Sequence, residues 1–267
     1  MQKYRRPVLH SKLSDYLAKK QDDVDRTDRR LSIQEEWKRA CSTKSMRRIR
    51  RTLSLAAGPD ERCMYCHDSQ AVTIEHYYPK SKYEDRAFDW NNFLAICSSC
   101  NVMKGDELLL GDDGQGMMIN PLDVDPWEYI EYSVETDHYT ARWWTAEEED
   151  PKGRETLDVL SKRLEHQAVM TRRRKVRVRL QGYVSSFLRD ENAQAGSGNI
   201  QSLIDQIVED DTFGLCDWFF FHEGSEAQPF CSLKLRHGHV WAKVIAAIKS
   251  SRRDYGITPT EQILLQV

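Results

Sequence analysis

No run of about 18 apolar residues occurs anywhere in this chain of 267 residues, which counts against a membrane-spanning helix. The basic start, MQKYRRPVLHSK, leads into no apolar segment, so a secretory leader is not expected and a cytoplasmic location is. An even set of cysteines is missing too. There are 7, and four of them fall in two Cys-x-x-Cys pairs, which suits a reducing compartment better than a disulfide framework. Cys41, Cys216 and Cys231 then read as buried free thiols. A net positive charge is also absent, since the balance is −3. Internal repeats and long low-complexity tracts are lacking. What remains is a charge-rich globular composition, long enough for one large or two modest domains.

The charge is unevenly spread. Residues 1–56 carry 16 Lys/Arg against 7 Asp/Glu, whereas residues 106–150 carry 14 Asp/Glu against Arg142 alone. Such asymmetry describes either separate surfaces, one attracting and one repelling phosphates, or simply solvated helical faces. The composition predicts helices over 9–27 and 32–56, the second opened by a Ser32/Glu35 capping box and ended by Gly58-Pro59. Residues 45–51 place several arginines on one exposed side of that helix. Further on, residues 126–144 read as a β-hairpin and 147–150 as an acidic loop. A long helical pattern covers 153–188, with a break near Gly182. It contains six basic residues in the eight from Arg172 to Arg179. These face nucleic acid or an acidic partner. Residues 189–199 read as a flexible linker, 200–208 and 239–250 as helices, and 218–221 as a buried apolar element. The tail, 254–267, is expected to be ordered only if it docks. Three regions follow: a basic helical one (1–58), a metal-stapled one (59–112), and a hairpin plus helices (113–267).

The densest chemistry lies between Cys63 and Lys104. Cys63/Cys66 and Cys97/Cys100 form two knuckles with 30 residues between them. Each short turn aims two thiolates at one ion, which is what a tetrahedral structural zinc needs. His67 is not required, because four cysteines complete that shell. Residues 71–76 have strand character, and Ser98 or Ser99 opens a short helix carrying Asn101 and Lys104. Glu75-His76, Asn92 and Asn101 are polar residues held inside this staple. A histidine beside a carboxylate, facing a helix that offers another ligand, is a minimal arrangement for metal-assisted phosphodiester hydrolysis. Lys104 reads as a solvated helix lysine, and Glu84 and Asp85 as surface charges.

The pattern Cys-x-x-Cys, Glu-His-x-x-Pro, Trp-x-Asn, Cys-x-x-Cys-Asn-x-x-Lys-Gly resembles the zinc-containing HNH (ββα-metal) endonucleases over residues 60–106. The resemblance implies an α+β fold with a small ββα-metal core embedded in a mainly helical chain. It further implies that His76 activates the attacking water, that Glu75 and Asn101 bind a catalytic Mg²⁺ or Mn²⁺, and that Asn92 ties the loop and orients the base. Cys63, Cys66, Cys97 and Cys100 match the zinc ligands. Products with 5′-phosphate and 3′-hydroxyl ends are implied as well. Two departures stand out: Glu75 replaces the commoner Asp, and Asn101 is a weaker ligand than His. A more diffuse likeness extends over Asn120-Pro121-Leu122, Asp125–Ile130, Glu155–Leu160 and the Arg-rich helix. It points to an HNH subgroup found beside an ABC-type ATPase in prokaryotic defence modules, the Septu type and some retron systems. The expected function is therefore a metal-dependent endonuclease acting on nucleic acid, DNA by default with RNA open, as an anti-phage effector with an ATPase partner. The rival reading is a non-catalytic zinc module that binds nucleic acid or protein through a degenerate HNH site.

Overall fold

The computed structural model describes residues 1–26, 28–58, 60–190 and 197–253. The sequence expectations for residues 254–267, for Pro59 and for 191–196 of the linker fall outside the described residues. Within them the fold is α+β and mainly helical, with ten α-helices and two separate two-stranded antiparallel sheets.

The chain opens with α1 (Ser11–Asp25), α2 (Ile33–Cys41) and α3 (Lys44–Leu55). The capping box is present: Ser32 accepts from the Glu35 amide, and the Glu35 carboxylate accepts from the Ser32 amide at 2.9 Å. The single helix expected over 32–56 is instead two. Ser42 and Thr43 interrupt it because their hydroxyls compete for backbone groups. Ser42 donates to the Arg39 carbonyl at 2.7 Å, and Thr43 caps α3 by accepting from the Met46 amide at 3.2 Å. Cys41, expected to be buried, is exposed at this break.

Strand β1 (Thr73–His76) pairs with β2 (Phe93–Ile96), aligning His76 with Phe93 and Glu75 with Leu94. Helix α4 (Ser98–Lys104) follows directly, with Cys97 as its N-cap and Gly105 at φ 56° just beyond its end. The left-handed backbone there is what a glycine tolerates without strain. Two strands and a helix thus form one small layered unit, onto which the first knuckle docks through the Met64 amide and the Ala95 carbonyl at 3.0 Å.

The second sheet, β3 (Ile130–Tyr132) with β4 (Tyr139–Ala141), is shorter than the hairpin expected over 126–144. Pro126–Glu128 form a helical turn rather than strand, and Asp137 turns the chain at φ 61°. Asp150 caps α5 (Pro151–Leu164), which approaches the sheet so closely that a Cβ on Gly153 would lie 2.1 Å from the Tyr129 carbonyl oxygen. Helix α6 (Gln167–Arg189) comes next, so the break in the 153–188 pattern falls at Glu165–His166 and not at Gly182. His166 caps the new helix by accepting from the Ala168 amide, whereas Gly182 passes inside it without meeting a neighbour. The remaining helices are α7 (Ser197–Asp210), α8 (Leu215–Phe221), α9 (Phe230–Arg236) and α10 (Gly238–Arg253). One continuous cluster of buried apolar side chains runs from Met1 through both sheets to Ile248.

Candidate functional site

The four knuckle cysteines come together from two chain segments. Their sulfurs all lie within 4.8 Å of one another, and every one of the four residues is buried. Tetrahedral Zn–S bonds of about 2.3 Å require sulfurs roughly 3.8 Å apart, and the Cys66 and Cys97 sulfurs are 3.8 Å apart. The donor set therefore fits a closed structural zinc. The sulfurs of Cys100, Cys63 and Cys97, and after them the Arg163 guanidinium, hold the Cys66 thiol far below its usual range. Arg163 reaches the knuckle from α5, donating to Asp68 and Ser69 at 2.6 Å each. Its positive charge offsets part of the excess that four thiolates place around a divalent ion. His67 stands outside the cluster and shares a hydrogen bond of 2.9 Å with the Tyr4 hydroxyl.

A zinc held by these cysteines would anchor the turn before β1 and the cap of α4, on either side of the polar residues between them. His76 ends β1 and is 2 % exposed. Its Nε2 lies 2.9 Å from the Ala87 carbonyl oxygen and must donate to it. That bond assigns the proton to Nε2 and leaves the Nδ1 lone pair open, with no hydrogen-bond partner among the described residues. Trp37 of α2 stands edge-on to the imidazole at 4.3 Å, and Phe93 does so at 5.4 Å. Burial, with Lys80 nearby, pushes the His76 pKa down to about 3, so the ring is neutral at ordinary pH.

Asn92 is fully engaged. Its Oδ1 accepts from the Tyr78 amide at 2.7 Å, and its Nδ2 donates to the Tyr78 and Arg86 carbonyls at 2.9 Å. Both ends of the loop 77–87 are thereby tied, including the turn that presents Ala87 to His76.

Glu75 diverges from His76, as successive strand residues must. Its Oε1 accepts from the Lys104 ammonium at 2.9 Å, which also donates to the His76 carbonyl at 2.8 Å. Lys104 is only 2 % exposed, which corrects its reading as a solvated lysine. An amphipathic stem and two acceptors make burial of the charge tolerable. Burial nevertheless raises the Glu75 pKa against the pull of Lys104. Asn101 precedes Lys104 by three residues on α4, a spacing that makes the two neighbours along one side of the helix. One oxygen of Glu75 and the side-chain amide of Asn101 have no hydrogen-bond partner among the described residues.

These residues sit inside a recognisable family segment. Residues 63–107 match the HNH endonuclease family model. The Septu protein PtuB of Bacillus thuringiensis is 28 % identical over 113 residues, which is 40 % of this chain and 39 % of that protein. The chain thus aligns with well under half the length of this curated relative. No solved structure matches.

Beyond the HNH segment, the structure adds residues that sequence reasoning passed over. Trp37 lies far upstream and carries no local signal. Lys104 was visible as the last position of the Asn-x-x-Lys spacing, one helical turn after Asn101. The arginines of α6, expected to face nucleic acid or a partner, are instead bound within the chain. Arg172 pairs with Asp68, Arg174 and Arg177 with Asp137, and Arg179 with Asp210. Arg173 is buried and donates to the Leu164 and Asp137 carbonyls. The acidic partner exists, and it belongs to the same molecule.

Proposed function

We propose that this chain is a metal-dependent HNH nuclease hydrolysing phosphodiester bonds, with DNA as the default substrate. The observation that carries this reading is the His76 imidazole, fixed at Nε2 by a backbone carbonyl and open at Nδ1. A purely structural histidine would be expected to satisfy both nitrogens. His76 Nδ1 takes the proton of the attacking water, and Asn92 keeps the Ala87 carbonyl in register so that the ring cannot turn. Glu75, through its uncommitted oxygen, and Asn101, through its amide oxygen, are the residues that would hold a catalytic Mg²⁺ or Mn²⁺. When bound, such an ion acidifies water and stabilises charge on the phosphate and the departing 3′ oxygen. That contribution matters here because a ring with so low a pKa is a weak base and needs an acidic proton donor. Lys104 leaves Glu75 a single oxygen to offer.

Residues 59–112 form the nuclease unit in this reading, and the flanking regions position it. The likeness to a Septu protein supports a role as an anti-phage effector acting with an ABC-type ATPase. A nicking assay on supercoiled plasmid tests the chemistry, with Mg²⁺, with Mn²⁺ or with neither added, alone and with the co-purified partner. His76→Ala is expected to abolish cutting while zinc content and circular dichroism stay unchanged. Cleavage at the wild-type level in that variant would sink the mechanism. The Glu75–Lys104 ion pair favours a second reading, a zinc module whose metal site is closed by a lysine. In that case neither ion would elicit cutting under any condition, partner included.

A further inference from the structure

The two basic helices of this protein are not equivalent. Arg172, Arg174, Arg177 and Arg179 of α6 each pair with a carboxylate from elsewhere in the chain, Asp68, Asp137 or Asp210. On the α2–α3 pair the reverse holds. Lys38, Arg39, Lys44, Arg47, Arg50 and Arg51 are all exposed, and none has an ion pair among the described residues. The only acids on these two helices are committed elsewhere: Glu35 to the Ser32 cap, and Glu36 toward Lys20 at 3.9 Å.

Helical geometry sorts the charge further. Met46, Ile49 and Leu53 form the buried stripe of α3. Lys44, Arg47 and Arg51 follow the i, i+3, i+7 line on the opposite side. Arg47 has just one recorded bond, to the Ser42 carbonyl at 2.8 Å. The charged face also joins the candidate site. Trp37 of α2 contacts the His76 ring, and exposed Cys41 lies one turn further along the same helix. The α2–α3 pair therefore borders the candidate base through Trp37, whose ring centroid lies 4.3 Å from that of His76.

We infer that the exposed face of α2–α3, and not the arginine-rich α6, is the surface that grips the phosphate backbone of the nucleic acid and leads it to His76. The inference rests on the nuclease reading for the identity of the bound polymer. A phosphate chain fits because the surface offers guanidinium and ammonium groups in a row with no apolar pocket residue among them.

The test uses the full chain with no added Mg²⁺ or Mn²⁺, so that cutting is suppressed while the zinc knuckles stay intact, and a fluorescein-labelled DNA duplex or RNA strand followed by anisotropy across a salt series. Each lost duplex phosphate contact lowers the slope of log K against log salt by about 0.9. The triple variant Lys44→Ala/Arg47→Ala/Arg51→Ala is expected to lower the slope by about 2–3 and to weaken binding at least about tenfold. Lys175→Ala, on α6, is expected to change neither. A folded triple variant that binds both probes like the wild type overturns the inference and assigns the face to a protein partner. Absence of binding by the wild type to either probe at low salt overturns it too. If the wild type binds through this face yet never cuts with any metal, the surface stands and the nuclease reading falls.

Discussion

Asp137 shows what a single residue contributes when charge is buried in a turn. It is fully buried, sits at φ 61°, and accepts from the Tyr132 hydroxyl and the side chains of Arg174 and Arg177. Burial favours its neutral form, but hydrogen bonds from Arg177, Tyr132 and Arg174 outweigh that and hold its pKa below the usual carboxylate range. A carboxyl with a depressed folded pKa stabilises the fold above its unfolded value of about 3.9. That contribution is lost as the pH falls through the folded value. Asp137→Asn keeps the left-handed turn, which asparagine also tolerates, and removes the charge. We expect it to cost on the order of 2–3 kcal/mol at neutral pH, with the gap to the wild type closing below about pH 4. Urea unfolding of both proteins across pH measures this; a gap independent of pH would show that the charge is not what matters. At the same scale, Lys104 carries a lesson for reading sequences. Its place in the Asn-x-x-Lys spacing was legible, but burial of its stem depends on how α4 lies against β1.

Among the elements, α2 is short and makes a consequential contact. It is a helix of 9 residues that brings Trp37 against His76. Helices this short are marginal alone and depend on their caps and packing. The Ser32/Glu35 box was legible in the chain because both partners lie within one turn. The second half of the original helical pattern was misread for a related reason: serine and threonine are tolerated inside helices, and only the packing of α3 decided that Thr43 should start a new one. Ser32→Ala is expected to destabilise the protein by about 1 kcal/mol, a shift of roughly 2–4 °C in thermal midpoint. Cutting should fall as well, since fraying of α2 loosens the ring that Trp37 packs against. A variant with the lowered midpoint and undiminished cutting would separate Trp37 from the chemistry.

For the whole molecule, the zinc knuckles are part of the general core and not a detachable module. Cys63, Cys66, Cys97 and Cys100 belong to the same buried cluster as Leu53 of α3 and Leu164 of α5. Structural zinc can supply about 10–16 kcal/mol of coupled folding energy in small domains. That is comparable to the entire stability of an ordinary protein, about 5–15 kcal/mol. Removing zinc with a strong chelator should therefore abolish the cooperative thermal transition of the whole chain, and returning zinc should restore it. Elemental analysis alongside calorimetry checks this; an unchanged transition in zinc-free protein would mean that the core stands without it. The electrostatics are likewise a property of the assembled fold. The excess acid of residues 106–150 does not simply form a repelling surface, because Asp137 reaches across to the arginines of α6.

By itself the sequence determined the zinc pairs, the capping box, the Glu75-His76 strand end and the order of strand, loop and helix around them. Each is encoded within a few residues, where backbone geometry alone dictates what side chains can meet. Tertiary structure decided which charges are committed. Arg172 finds Asp68 across 104 positions, Arg163 finds it across 95, and Lys104 finds Glu75 across 29. Only the packing of α5 and α6 on the core brings such partners within reach. It also left the α2–α3 arginines without acids and placed Trp37 on His76, because an ion pair or a ring contact depends on distance in space, which a local pattern does not contain.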